Sequence, residues 1–116
     1  MRKGILPLTL REGPEVRAMA FYIEFSQRAR DNLKRLRKRD QQIIVDAVEA
    51  QLTDQPDQTT RQRKKLEDNE LAPWELRVGD FRVFYDIVED DQIVIILAIG
   101  KKTHNILRIG DEEIDL

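Results

Sequence analysis

The side chains able to do chemistry in this sequence are mostly cations. Cysteine is absent and His104 is the one histidine, against 20 Lys and Arg and 22 Asp and Glu. Thiolate nucleophiles, disulfides and cysteine-built zinc sites are thereby excluded, and a single imidazole does not make a transition-metal site. No phosphate-cradling glycine loop or nucleophile elbow is present, and five glycines leave little from which to build one. Cations in clusters attract phosphate or an acidic protein surface. Here they are unevenly placed: residues 1–65 carry 15 basic and 9 acidic side chains, whereas residues 66–116 carry 5 and 13. One cluster runs through Arg28, Arg30, Lys34, Arg35, Arg37, Lys38 and Arg39, and a second is Arg61, Arg63, Lys64 and Lys65. A charged solvent face of a helix would look much the same. Lys101, Lys102 and His104 form a third group, in which the imidazole is the side chain matched to proton transfer near neutral pH.

The elements that must position these groups follow from periodicity. Phe21, Ile23 and Phe25 alternate with Tyr22 and Glu24, a strand pattern. Ser26 is placed to cap a helix whose apolar stripe is Ala29, Leu33 and Leu36. Asp40 is read as the cap of a second helix that buries Ile44, Ala47, Val48 and Leu52 and ends at Gln55-Pro56-Asp57-Gln58. So short a turn between the helices makes them antiparallel. Strand patterns then run through Trp74–Val78, Phe81–Glu89 and Gln92–Gly100, broken at Gly79-Asp80 and Asp90-Asp91, which are hairpin spacings. The expected fold is α+β: an N-terminal strand, an antiparallel helix hairpin, and a meander of roughly three or four antiparallel strands packed on the helices.

Counting outward from two-residue turns fixes a register. Val78 faces Phe81 and Arg77 faces Arg82; in the second hairpin Ile87 faces Val94, Tyr85 faces Ile96 and Val83 faces Ala98. One sheet face is then Trp74, Leu76, Val78, Phe81, Val83, Tyr85, Ile87, Val94, Ile96 and Ala98, apolar apart from one phenol, and this is the face for the helices. The other face carries Glu75, Arg77, Arg82, Phe84, Asp86 and Val88 beside Ile93, Ile95, Leu97 and Ile99. Two opposed arginines repel by roughly a few tenths of a kcal/mol unless an anion lies beside them. That anion is either Glu75, diagonal to Arg82, or a phosphate or carboxylate from outside. The four aliphatic residues call for a cover, supplied by the C-terminal segment 106–116 or by a second protein.

A chain of 116 residues builds one core and excludes two-domain enzymes. The first twenty residues imitate a secretory signal, but Pro7 and the charges at Arg11, Glu12, Glu15 and Arg17 interrupt it. Residues 1–18 are read as a flexible arm and 19–116 as the folded domain, with Met19 a candidate translation start. The longest apolar run, Ile93–Ile99, is far below the roughly 18–20 residues of a membrane span, so a soluble, cytoplasmic protein with no membrane partner is expected.

The run Trp74-Glu75-Leu76-Arg77-Val78-Gly79-Asp80-Phe81-Arg82-Val83-Phe84-Tyr85-Asp86, followed by an aliphatic strand ending in Ile99-Gly100-Lys101-Lys102, resembles the RelE/ParE superfamily of bacterial type II toxin–antitoxin toxins. The resemblance covers residue 19 to the end and implies the RelE-like fold. It also implies a toxin with a cognate antitoxin as partner and no cofactor. RelE-like members cut messenger RNA on the ribosome and so inhibit translation; ParE-like members inhibit DNA gyrase. On the first reading the chain is an endoribonuclease, with the ribosome and mRNA as further partners. Its reaction needs a base, an acid and cations around the phosphate. The catalytic set implied is Arg82, Arg77, Lys102 and His104, with Arg28, Arg35, Arg39, Lys64 and Lys65 as RNA-binding residues. On the second reading the toxin fold acts by binding alone, on gyrase or another target. The ribonuclease lysine positions read Pro73 and Glu75, and the terminal catalytic tyrosine falls close to Leu107 or Arg108. An antitoxin segment with acidic and aliphatic side chains is expected on the strip Ile93, Ile95, Leu97 and Ile99.

Overall fold

The structure, a computed structural model, describes residues 20–116; the proposed arm and Met19 lie outside them. β1 (Tyr22–Phe25) leads into α1 (Gln27–Lys34) and α2 (Lys38–Leu52), joined by three residues. There follow β2 (Arg63–Lys65), β3 (Trp74–Val78), β4 (Phe81–Val88), β5 (Ile93–Thr103), β6 (Ile106–Ile109) and β7 (Glu112–Ile114). The sheet has seven strands in the order β2-β3-β4-β5-β6-β7, with β1 parallel to β5. The α+β class is as expected; the sheet is larger than the meander read from sequence. The additional strands β2, β6 and β7 have three or four residues each, too short to show alternation.

Ser26 caps α1 as expected, its Oγ accepting from the Ala29 N–H at 3.1 Å. α2 begins earlier than Asp40 implied. Arg37 is its N-cap, and Asp40 sits in the first turn, 3.4 Å from the Arg37 guanidinium, where a carboxylate favours the positive end of the helix. At the other end of α2, Nη1 of Arg63 donates to the carbonyls of Gln51 and Gln55 at 2.8 Å and of Asp54 at 3.3 Å. A cation there both fills orphan acceptors and matches the helix dipole. Arg63 is therefore a structural member of what reads as a basic cluster.

The first hairpin has the counted register, Val78 opposite Phe81 and Arg77 opposite Arg82, around Gly79 at φ 60°. The second matches as far as Tyr85 opposite Ile96. There a bulge intervenes, and Phe84, not Val83, faces Ala98, while Val83 faces Ile99 and Arg82 faces Gly100. The extra residue, Leu97, turns the second half of β5 over. Ile99 consequently joins the helix-side core with Ala29, Ile44, Val48, Leu52, Trp74, Leu76, Val83, Tyr85, Val94 and Ile96. Ala98 moves to a smaller cluster on the opposite face, with Ala72, Phe84, Leu107 and Ile109. Leu97 packs against that cluster, as do Leu66, Leu71 and Ile114. Ile99 thus leaves the expected four-residue strip for the helix side, and Ile93, Ile95 and Leu97 remain half-buried on the outer face. Tyr85 is buried in the helix-side core, stacked on Trp74 at 5.9 Å and donating to the Pro56 carbonyl at 2.8 Å; burial pushes its phenol pKa upward.

One edge of β5 is shared. β1 pairs with Ile93–Ile96 and β6 with Lys101–Thr103, so residues 97–100 have no strand there. α1 and the residue before it supply the missing partners: Ser26 Oγ donates to the Leu97 carbonyl at 3.0 Å, and the Ile99 N–H donates to Asn32 Oδ1 at 2.9 Å. Asn32→Leu strands the Ile99 N–H and should cost about 1–3 kcal/mol, read as a lowered denaturant midpoint with an unchanged slope. At Gly100 a Cβ would lie 2.6 Å from the Arg108 carbonyl and 2.8 Å from Ile109 Cγ1. Gly100→Ala must therefore push β6 from β5, with an expected loss of about 1–3 kcal/mol in the same measurement.

Candidate functional site

The sheet face turned away from the helices carries the candidate site. Lys64 on β2 pairs with Glu75 on β3, Arg77 with Arg82 on β4, and Arg82 with Gly100 on β5. Lys102 lies two residues beyond Gly100, hence on the same face. The β5–β6 turn that follows is made by His104 and Asn105 at φ 53° and 66°. Lys64, Glu75, Arg77, Arg82, Lys102, His104 and Asn105 line one cavity of about 410 Å³. It continues into a second of about 500 Å³ that shares Lys64, Glu75, Arg82, Lys102 and Asn105 and reaches Lys65 and Asp115. All four residues nominated for catalysis meet in one place.

Their states differ. Arg77 and Lys102 are exposed, whereas the Arg82 side chain is only 11% exposed. Its Nη1 donates to the carbonyls of Gly79 at 2.8 Å and Phe81 at 2.9 Å, and its Nε lies 3.6 Å from Glu75 Oε2. Of the two sources considered for the compensating anion, the internal one is therefore present. Nη1 and Nε, two of the three nitrogens of the guanidinium, are thus turned to partners within the protein. His104 is exposed, and among the described residues no hydrogen bond orients its imidazole. Leu107 is buried in the outer cluster and Arg108 is exposed, 3.7 Å from Glu113, so neither tyrosine-equivalent position brings a proton donor of suitable pKa.

The residues nominated for RNA binding are divided. Lys64 and Lys65 border the cavities. Arg28, Arg35 and Arg39 belong to the helical layer, on the other side of the sheet. Arg35 is held by Asp111 at 2.5 Å and Arg28 lies 3.6 Å from Glu112. Among the described residues there is no group of three or more His, Cys, Asp or Glu placed to hold a metal. Asn105 was not singled out by sequence; the signal was its place in a short break after a strand, where Asn tolerates the left-handed conformation.

The model of the ParE toxin of the type II toxin–antitoxin system parDE matches residues 23–112. The chain belongs to this family. It is accordingly a toxin of the RelE/ParE type in a type II toxin–antitoxin system. Two solved structures share the fold of this ParE family member. The toxin–antitoxin complex RelBE2 from Mycobacterium tuberculosis aligns with a TM-score of 0.64 at 24% identity, over 72% of this chain and 93% of that one. The archaeal RelE–RelB complex from Pyrococcus horikoshii OT3 aligns with a TM-score of 0.58 at 21% identity, over 72% of this chain and 96% of that one. At these identities the likeness is one of fold. A search of curated proteins finds no match. No helix among the described residues is long and apolar enough to cross a membrane.

The buried pair changes what a substitution at Arg82 does. A side chain on the face away from the helices is ordinarily removable without harm to the fold. Instead Arg82→Ala leaves the Glu75 carboxylate, 14% exposed, without its cation. Arg82→Ala should lower stability by roughly 2–4 kcal/mol, whereas Arg77→Ala and Lys102→Ala should stay within about 0.5 kcal/mol of the parent in thermal melts.

Proposed function

We propose that this ParE family member arrests growth by binding its target, DNA gyrase, without cutting RNA. The observation that carries this reading is the Arg82 guanidinium, closed into Glu75 and two backbone carbonyls on the face where a ribonuclease would need it open. The acid and base are missing in the same region. Pro73 and Glu75 stand at the lysine positions of the ribonuclease relatives, and Glu75 weakens the field that a phosphate would feel. His104 lacks an orienting partner of the kind that fixes a catalytic imidazole. Binding to an antitoxin protein is part of the same proposal, as is a cytoplasmic location.

The endoribonuclease reading retains one supporting observation: Arg77, Arg82, Lys102 and His104 do line a common cavity. On that reading the ribosome and mRNA are partners, and Arg82 must leave Glu75 to take a phosphate. Two measurements separate the readings. Induction of the chain should stop growth with no new transcript ends in primer extension, and purified protein should inhibit DNA supercoiling by gyrase. New cleavage sites in mRNA together with unimpaired supercoiling would overturn the gyrase reading in favour of the ribonuclease.

A further inference from the structure

A third cavity lies on the helix side, at the gap in the β5 edge. It has about 290 Å³ and is lined by Asn32, Arg35, Leu36, Phe81, Ile99 and Gly100, with Lys101, Thr103, Arg108 and Gly110 at its border. Leu36 and Phe81 are half-buried, and Ile99 lies beneath them because the bulge has turned it to this side. The Leu97 carbonyl and the Ile99 N–H at the gap are already taken by Ser26 and Asn32, so the floor offers mainly apolar area. A side chain has somewhere to sit there.

Three cations surround that floor. Arg35 has Asp111 and Arg108 has Glu113 as carboxylate partners. Lys101 is exposed, with its ammonium 5.8 Å from the centre of the Phe81 ring and no carboxylate within 4 Å among the described residues. Both existing ion pairs are exposed, Asp111 at 87% and Glu113 at 65% of their side chains, so an incoming carboxylate can exchange with them at little cost. Lys101 and Lys102 are neighbours on one strand and face opposite sides of the sheet, so this cavity and the one around Arg82 are separate binding places.

We propose that this cavity receives a segment of the antitoxin in which one aliphatic side chain, seated on Leu36, Phe81 and Ile99, is flanked by carboxylates that meet Lys101, Arg108 and Arg35. The identity of the partner rests on the toxin reading above; the chemistry of the segment does not. An apolar anchor surrounded by charge pairs is the usual arrangement of a binding centre. An occupant on this side leaves Arg77 and Lys102 uncovered, so anchoring and target contact are separable.

The probe is a synthetic twelve-residue peptide of Glu and Leu, titrated into the full isotope-labelled chain and followed by backbone amide shifts. Comparison peptides carry Gln for every Glu, or Ser for every Leu. The expected result is saturable shifts at Leu36, Phe81, Lys101 and Arg108, with affinity about tenfold lower for either comparison peptide and for the Lys101→Glu chain. Lys102→Glu should leave the titration unchanged, and Lys101→Glu should still arrest growth when induced. Shifts centred on Lys64, Arg77 and Arg82, indifference to Lys101→Glu, or no binding at millimolar peptide would each overturn the assignment. Loss of growth arrest in a folded Lys101→Glu chain would also overturn it, by giving the cavity to the target. Failure of the parent chain to arrest growth would sink the toxin reading alone, since the titration judges the cavity independently.

Discussion

β5 changes neighbours halfway along one edge, and most of the molecule is arranged around that change. Its other edge is paired with β4 from Val88 back to Phe81, but on this edge β1 stops at Ile96 and β6 starts at Lys101. Buried backbone groups left between them would each be costly. The side chains of Ser26 and Asn32 take the Leu97 carbonyl and the Ile99 N–H, which ties α1 to the sheet at its most vulnerable point. Ser26 does two jobs, since the same hydroxyl accepts the Ala29 N–H that starts the helix. The bulge opposite Phe84 and Tyr85 occurs in this stretch, and its reversal of facing sends Ile99 inward and leaves Gly100 where β6 can approach closely.

Charge is spent internally to a degree that the net value of −2 conceals. Arg63 closes the end of α2, and Arg82 is locked to Glu75 and to the carbonyls of its own hairpin. Both are arginines, whose planar fork can serve several acceptors at once. Among the cations left to meet something else are Arg77, Lys64 and Lys102 on the outer face and Arg39 and Lys101 on the helical side, all exposed. A surface of this kind attracts an acidic partner at long range.

The fold is shared with relatives of the RelE–RelB type while the chemistry depends on a few side chains set on it. Glu75 on β3 gives the outer face an internal ion pair with Arg82 and leaves the sheet pairing regular. β5 presents a cation on each side of the sheet, through the adjacent and exposed Lys101 and Lys102.

The α+β class, the Ser26 cap, the Arg77–Arg82 pairing and the register as far as Tyr85 opposite Ile96 were legible in residue order, because alternation and two-residue turns are local and each leaves a pattern. Lys102 was nominated through the family resemblance and not by counting, since it shares the face of Arg82 only because the bulge reverses β5. The bulge itself was not legible. Ile93–Ile99 is apolar at every position, so either face accommodates any residue and an inserted Leu97 leaves no break in polarity. β2, β6 and β7 were hidden by their length and by sequences such as Arg63-Lys64-Lys65, whose strand state comes from a neighbour's hydrogen bonds and not from its own propensity. Nor does a basic residue in the sequence reveal whether its charge faces solvent or a carbonyl. For Arg63 that was decided when the end of α2 came to rest beside it, a contact that no local spacing encodes; for Arg82 the diagonal to Glu75 was visible in the hairpin count, and the folded side chain chose it over an anion from outside.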